Sequence, residues 1–165
     1  MADIFHKPRA GVARLIVYLV VFVGIALALN AWIFSTGAAQ WSSTLENPSW
    51  SPPGYAVGAV WTILFALMAL SLWLVDRAGQ LEARGPARAL VVLQYLINIS
   101  WTWLYFGLEN VANGFYVTVI AFFVAIGALI AIGRANLVAA LVWLPLNLWL
   151  GFALALSYAT WQLNV

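Results

Sequence analysis

Apolar positions run almost unbroken along this chain, and a few charges cut them into stretches. Charge-free segments cover residues 15–45, 47–75, 89–108, 110–133 and 135–165. Each can hold the ~20 apolar residues needed to cross ~30 Å of hydrocarbon at ~1.5 Å per residue. The pattern predicts helices over residues 13–34, 54–75, 86–106, 112–132 and 137–161. Helix follows because lipid offers the backbone no hydrogen-bond partners, and hydrophobicity this continuous lacks the alternation of a membrane barrel. The predicted fold class is an all-α membrane protein, a five-transmembrane-helix bundle with residues 1–165 in a single domain.

Composition supports the same reading. Of 165 residues, 65% are hydrophobic and 7% charged, against ~45–50% and ~25% in soluble proteins. Too few polar groups exist to cover a soluble globule, which excludes a soluble enzyme, a disordered tail and a nucleic-acid binder. The net charge of +2 reflects topology. Lys7, Arg9 and Arg14 precede the first span, Arg77, Arg84 and Arg88 separate the second and third, and Arg134 separates the fourth and fifth. With five spans all seven cations fall on one side, and the opposite loops carry only Glu46 and Glu109. The positive-inside rule then places the N-terminus in the cytoplasm and the C-terminus outside. The rival reading of the first span is a cleaved signal peptide ending near Ala26-Leu27-Ala28, but its apolar run exceeds the usual ~7–15 residues.

The long outer loop, residues 35–53, contains Trp41 and then Asn47-Pro48-Ser49-Trp50-Ser51-Pro52-Pro53-Gly54. Three prolines stiffen a run that cannot be helical, and Pro53 or Gly54 opens the second helix. Such a loop caps a bundle, or serves as a plain connector with its tryptophans at the headgroup belt. Ten tryptophans exceed what a belt needs, and Trp61, Trp101 and Trp149 fall inside their spans. Spacings of three and four line up Gly58, Trp61, Phe65, Met68 and Leu72 on the second span. Gln94, Asn98, Trp101 and Tyr105 align on the third, and Pro145, Trp149, Phe152, Ala153 and Leu156 mark the fifth. Amides among aromatics face either a neighbouring helix, as interhelical hydrogen-bonding groups, or a pocket for a flat apolar ligand. The chain has no cysteine, only His6 as histidine and no acidic residue mid-span, which argues against metal sites, nucleophilic triads and carboxylate relays.

The motifs Pro48-Ser49-Trp50-Ser51-Pro52-Pro53-Gly54 with Trp61, Asn98-Ile99-Ser100-Trp101 with Tyr105-Phe106-Gly107, and Leu144-Pro145 with Trp149, Phe152-Ala153 and Trp161-Gln162-Leu163-Asn164 carry a resemblance. The chain resembles the tryptophan-rich sensory protein / translocator protein (peripheral benzodiazepine receptor) family across residues 48–164. The resemblance implies a five-helix bundle in a bacterial cell membrane, often a homodimer, binding porphyrin or another hydrophobic small molecule beneath the loop between helices 1 and 2. It implies Trp61, Asn98, Trp101, Trp149, Ala153 and Leu156 as ligand-site residues, and with the capping loop and the aligned stripes the expected site is Trp41, Trp50, Pro52, Trp61, Phe65, Gln94, Asn98, Trp101, Tyr105, Trp149, Ala153 and Leu156. No obligatory cofactor is implied, and a tetrapyrrole is the molecule expected in the pocket. Leu146 and Ser157 depart from the family pattern and leave sterol binding open. The leading expectation is a membrane-embedded binder and sensor of planar apolar ligands. The alternatives are an enzyme degrading porphyrin under light through Trp61 and Trp149, and a structural subunit of a larger membrane complex.

Overall fold

The computed structural model describes residues 11–165; His6, Lys7 and Arg9 lie outside the described residues. Helices α1 (Val12–Ser35), α2 (Ala38–Ser43), α3 (Gly54–Arg77), α4 (Leu81–Thr102), α5 (Val111–Ala135) and α6 (Leu137–Leu163) follow in order. Five of them, with α4 continued through a π-helical turn at Trp103–Gly107, are long and apolar enough to cross a membrane. The short α2 sits in the connection between α1 and α3, after Gly37 in the left-handed conformation that glycine adopts without strain.

One span differs from the sequence reading, at both of its ends. Helix α4 begins at Leu81, ahead of the expected start at Pro86, so the proline lies inside it. So early in the helix its missing N–H removes one backbone bond, and Glu82 in the first turn suits the helix dipole. At the far end the α-helix stops at Thr102 and a wider turn takes over. The Leu108 N–H bonds the Trp103 carbonyl and the Asn110 N–H bonds the Tyr105 carbonyl, both at 3.1 Å. Gly107 lies close against the Trp103 ring, where a Cβ would stand 3.0 Å away.

Helix α3 packs against α1, α4 and α6, and α5 closes the bundle between α4 and α6. Small side chains set the spacing: Ala87, Ala121, Ala125, Ala128 and Ala139 are all buried, letting backbones approach closely. The Ala121/Ala125 pair belongs to this seam, whereas Gly127 has open space where a Cβ would be. Polar side chains then reach across to neighbouring backbones. Ser71 on α3 donates to the Ala139 carbonyl on α6 at 3.0 Å. Trp143 on α6 donates to the Ala125 carbonyl on α5 at 3.2 Å. Tyr95 on α4 donates to the Val21 carbonyl on α1 at 3.2 Å and stacks on Phe22 at 4.0 Å.

At the end where α1 starts, the apolar seam gives way to charge. Asp76, its side chain only 2% exposed, pairs with Arg14 of α1 at 3.4 Å and Arg88 of α4 at 3.2 Å. The Tyr18 hydroxyl donates to the same carboxylate at 2.7 Å. One residue of α3 thereby fastens α1 and α4 together. Asp76→Ala leaves two cations and a hydroxyl without their acceptor, and we expect a loss of about 2 kcal/mol. A thermal melt in detergent checks this; Arg14→Ala and Arg88→Ala, each removing a half-exposed partner, should cost less.

Candidate functional site

At the opposite end the helices diverge around a cavity of about 560 Å³. Its lining comes from α1, α3, α4, α5 and α6 and from the loop above them, and it contains no charged side chain. The apolar stripes dictate this. Trp61 and Phe65 of α3, Asn98, Trp101 and Tyr105 of α4, and Trp149, Ala153 and Leu156 of α6 all line the space. The lining stops at Phe65 and Asn98; about one turn further, Met68 and Gln94 are wholly buried.

The α4 wall is held rigidly. Trp101 and Tyr105 stack with ring centroids 4.7 Å apart and planes 16° apart. The Trp101 indole N–H donates to the Gly114 carbonyl and to the Thr118 hydroxyl, both at 3.0 Å, and Thr118 donates in turn to Gly114. A Cβ on Gly114 would stand 2.4 Å from the Tyr105 ring, so glycine there is what lets the ring lie flat on α5. Beneath, the Gln94 amide donates to the Asn98 side-chain oxygen at 3.0 Å, and the Asn98 amide faces the Met68 sulfur at 3.8 Å. Asn98 is thus oriented from below.

The loop forms a lid. On α2, Ser42 and Ser43 line the cavity while Trp41 turns its ring edge-on to Tyr105 at 5.1 Å. The proline run closes the other side: Ser51 and Pro52 line the cavity, and Trp50 packs edge-on to Phe152 at 5.7 Å. Asn164, just past α6, ties the lid down. Its side-chain oxygen accepts the Glu46 N–H at 3.0 Å and its amide donates to the Glu46 carbonyl at 2.8 Å. A second tie runs from the Thr160 hydroxyl to the Asn47 side-chain oxygen at 3.4 Å.

Of the twelve residues singled out in the sequence, Trp41, Trp50 and Gln94 do not line the cavity. The two loop indoles are spent on holding the lid, and Gln94 supports Asn98 from a fully buried position. Asn30, Thr118 and Thr160 line it although sequence reasoning passed over them, and so does Ser157, noted there only as a departure from the family pattern. Asn30 had a readable signal as the lone amide in an otherwise apolar first span. It lies against Gly58, where a Cβ would stand 2.6 Å from its side-chain oxygen. Asn147 is buried off the cavity, with neither amide atom partnered within the protein.

A bundle of five spanning helices around a lidded, uncharged, aromatic-lined hollow defines a class: α-helical integral membrane proteins with an internal cavity at one end. The particular family follows from comparison with known proteins. The chain belongs to the TspO/MBR family, whose model matches residues 15–162. It is 31% identical to protein CrtK of Rhodobacter capsulatus over 91% of this chain and 94% of that one. It is 34% identical to the tryptophan-rich protein TspO of Bacillus cereus over 75% and 80%. The human translocator protein is 27% identical over 76% and 75% of the two chains. This is an integral membrane protein with bacterial relatives.

The α4–α5 wall and the lid each yield a test. In an ordinary helix Gly→Ala adds up to about 1 kcal/mol, but Gly114→Ala must displace Tyr105. We expect the sign to reverse, with about 2 kcal/mol lost in a detergent melt. Asn164→Ala should leave the melt nearly unchanged while raising amide hydrogen exchange at Glu46 and along 38–53, because it removes the lid's two-point tie.

Proposed function

We propose that this protein binds and senses porphyrin-like or other planar, largely apolar molecules in the cavity under the α1–α3 loop. The observation that carries the reading is the convergence of Trp61, Trp101, Tyr105 and Trp149 on one hollow of about 560 Å³, within the ~300–1,000 Å³ of small-molecule sites. Aromatic walls supply stacking area to a flat ring system, and Asn98 offers a polar group where solvent is excluded. The names of the relatives, tryptophan-rich protein and translocator protein, fit a binding role.

The same reading assigns orientation. Arg14, Arg77, Arg84, Arg88 and Arg134 gather at the end remote from the cavity, so the positive-inside rule puts that end in the cytoplasm and the lid on the outer side. A second reading draws on one specific observation: Trp61 and Trp149 line the same cavity, where a bound porphyrin would contact both indoles during illumination. Decay of the porphyrin Soret band in light, faster with this protein than with the double phenylalanine variant, would mark that chemistry.

Binding itself is tested with protoporphyrin IX and detergent-purified protein. The Trp61→Phe/Trp149→Phe variant should bind about tenfold more weakly by fluorescence quenching, from lost stacking area at two walls. Equal affinity in the variant and the parent would remove the cavity from the account.

A further inference from the structure

Outside the cavity, a shallow groove runs between α3 and α6. Val60, Ile63 and Leu67 form one wall, and Pro145, Leu148 and Trp149 the other. The groove carries no charge, and Ile63 and Leu148 are 60% and 69% exposed, so in a bilayer it faces lipid tails. Trp149 is the one lining residue that groove and cavity share. Its indole is the partition between the bilayer and the hollow.

That partition is less firmly held than the indoles of Trp101 and Trp143. Trp101 and Trp143 each donate to a backbone carbonyl on α5. The Trp149 indole N–H is buried and meets no partner within the protein. Turning the ring therefore breaks no hydrogen bond, while an unpaired buried donor is itself unfavourable where it stands. Pro145, one turn earlier, removes a backbone bond from α6 and widens its local freedom. Ala153, one turn later on the cavity side, leaves room for the ring to move. The top of the cavity is different, because a way in there has to undo the Asn164–Glu46 tie.

We propose that the α3–α6 groove is a lateral route by which planar apolar molecules dissolved in the bilayer reach the cavity, with Trp149 as a swinging partition. The class of ligand is a flat ring system carrying a hydrogen-bond acceptor, which the Trp149 N–H meets on arrival. The route rests on the binding role proposed above and adds the direction from which the ligand comes.

The chain has no cysteine, so Leu148→Cys introduces a unique thiol at the groove. A bulky aromatic maleimide attached there obstructs the groove without touching the cavity. Leu141→Cys, exposed on α6 and lining neither space, is the control. With protein in liposomes and protoporphyrin IX as the probe, the label at position 148 should slow association at least about fivefold in stopped-flow quenching. Dissociation should slow by the same factor, the final quenching should be unchanged, and the label at position 141 should leave both rates alone. Equal association rates for the two labelled proteins would overturn the route. So would a loss of final quenching at position 148, which would mean that the label deforms the cavity. Absence of any quenching in the unlabelled protein would overturn the binding role, and the route with it.

Discussion

Inside a bilayer a polar atom has no water to fall back on, so leaving one unanswered is costly, and Asn147 and the Trp149 indole N–H stand out as exceptions. The architecture turns on how that demand is met. Ser71, Tyr95, Trp101 and Trp143 each donate across a helix boundary to a backbone carbonyl. These bonds register the helices against one another where apolar packing alone, equally satisfied by lipid tails, would not. Alanines and glycines at the crossings bring donor and carbonyl within reach, with Gly114 under Tyr105 the tightest case.

The cavity lies beyond most of this registration, with Trp101 alone of the four donors in its wall. Below Phe65 and Asn98 the core is filled by Met68, Leu72, Val75 and Ile132. Above them the interior carries small residues such as Gly58, Ala121 and Ala153 and flat rings held against a wall, alongside aliphatic side chains such as Leu150 and Leu156. The π-helical turn at the end of α4 belongs to the same design. Its extra residue per turn shifts the register past Trp103 and leads the chain out to Glu109, which sits in the left-handed region. The cross-helix bonds and the lidded hollow point the same way, toward a protein organised around an internal space.

Much of this was legible in the sequence, for reasons tied to particular residues. Charge-free length fixes where spans lie, and spacings of three and four placed Trp61, Trp101, Tyr105 and Trp149 on inward faces, since a helix turns at a constant rate. Loop indoles obey no such period, so nothing in the order of residues could say whether Trp41 and Trp50 point down into the hollow or across onto Tyr105 and Phe152. Gln94 shares its stripe with Asn98 but sits a turn deeper, and only the depth of the cavity floor separates their roles. Asp76 read as the boundary of a span; its burial depends on Arg14 and Arg88 arriving from other helices, a coincidence of three distant positions. Pro86 looked like a helix start and is instead the sixth residue of α4, where its missing N–H removes one backbone bond.

The Asp76 clamp has a mechanical consequence. It fastens α1, α3 and α4 at one extremity by charge, while the other extremity is held by a loop and two side-chain ties. Such a bundle is built like a clothes-peg, with its fulcrum among the arginines and its jaws around the hollow. For the binding role proposed above, an occupant would be gripped at the jaws, against the stacked Trp101–Tyr105 wall. The spring and the grip are different residues at opposite faces of the membrane, and either can change in evolution without loosening the other.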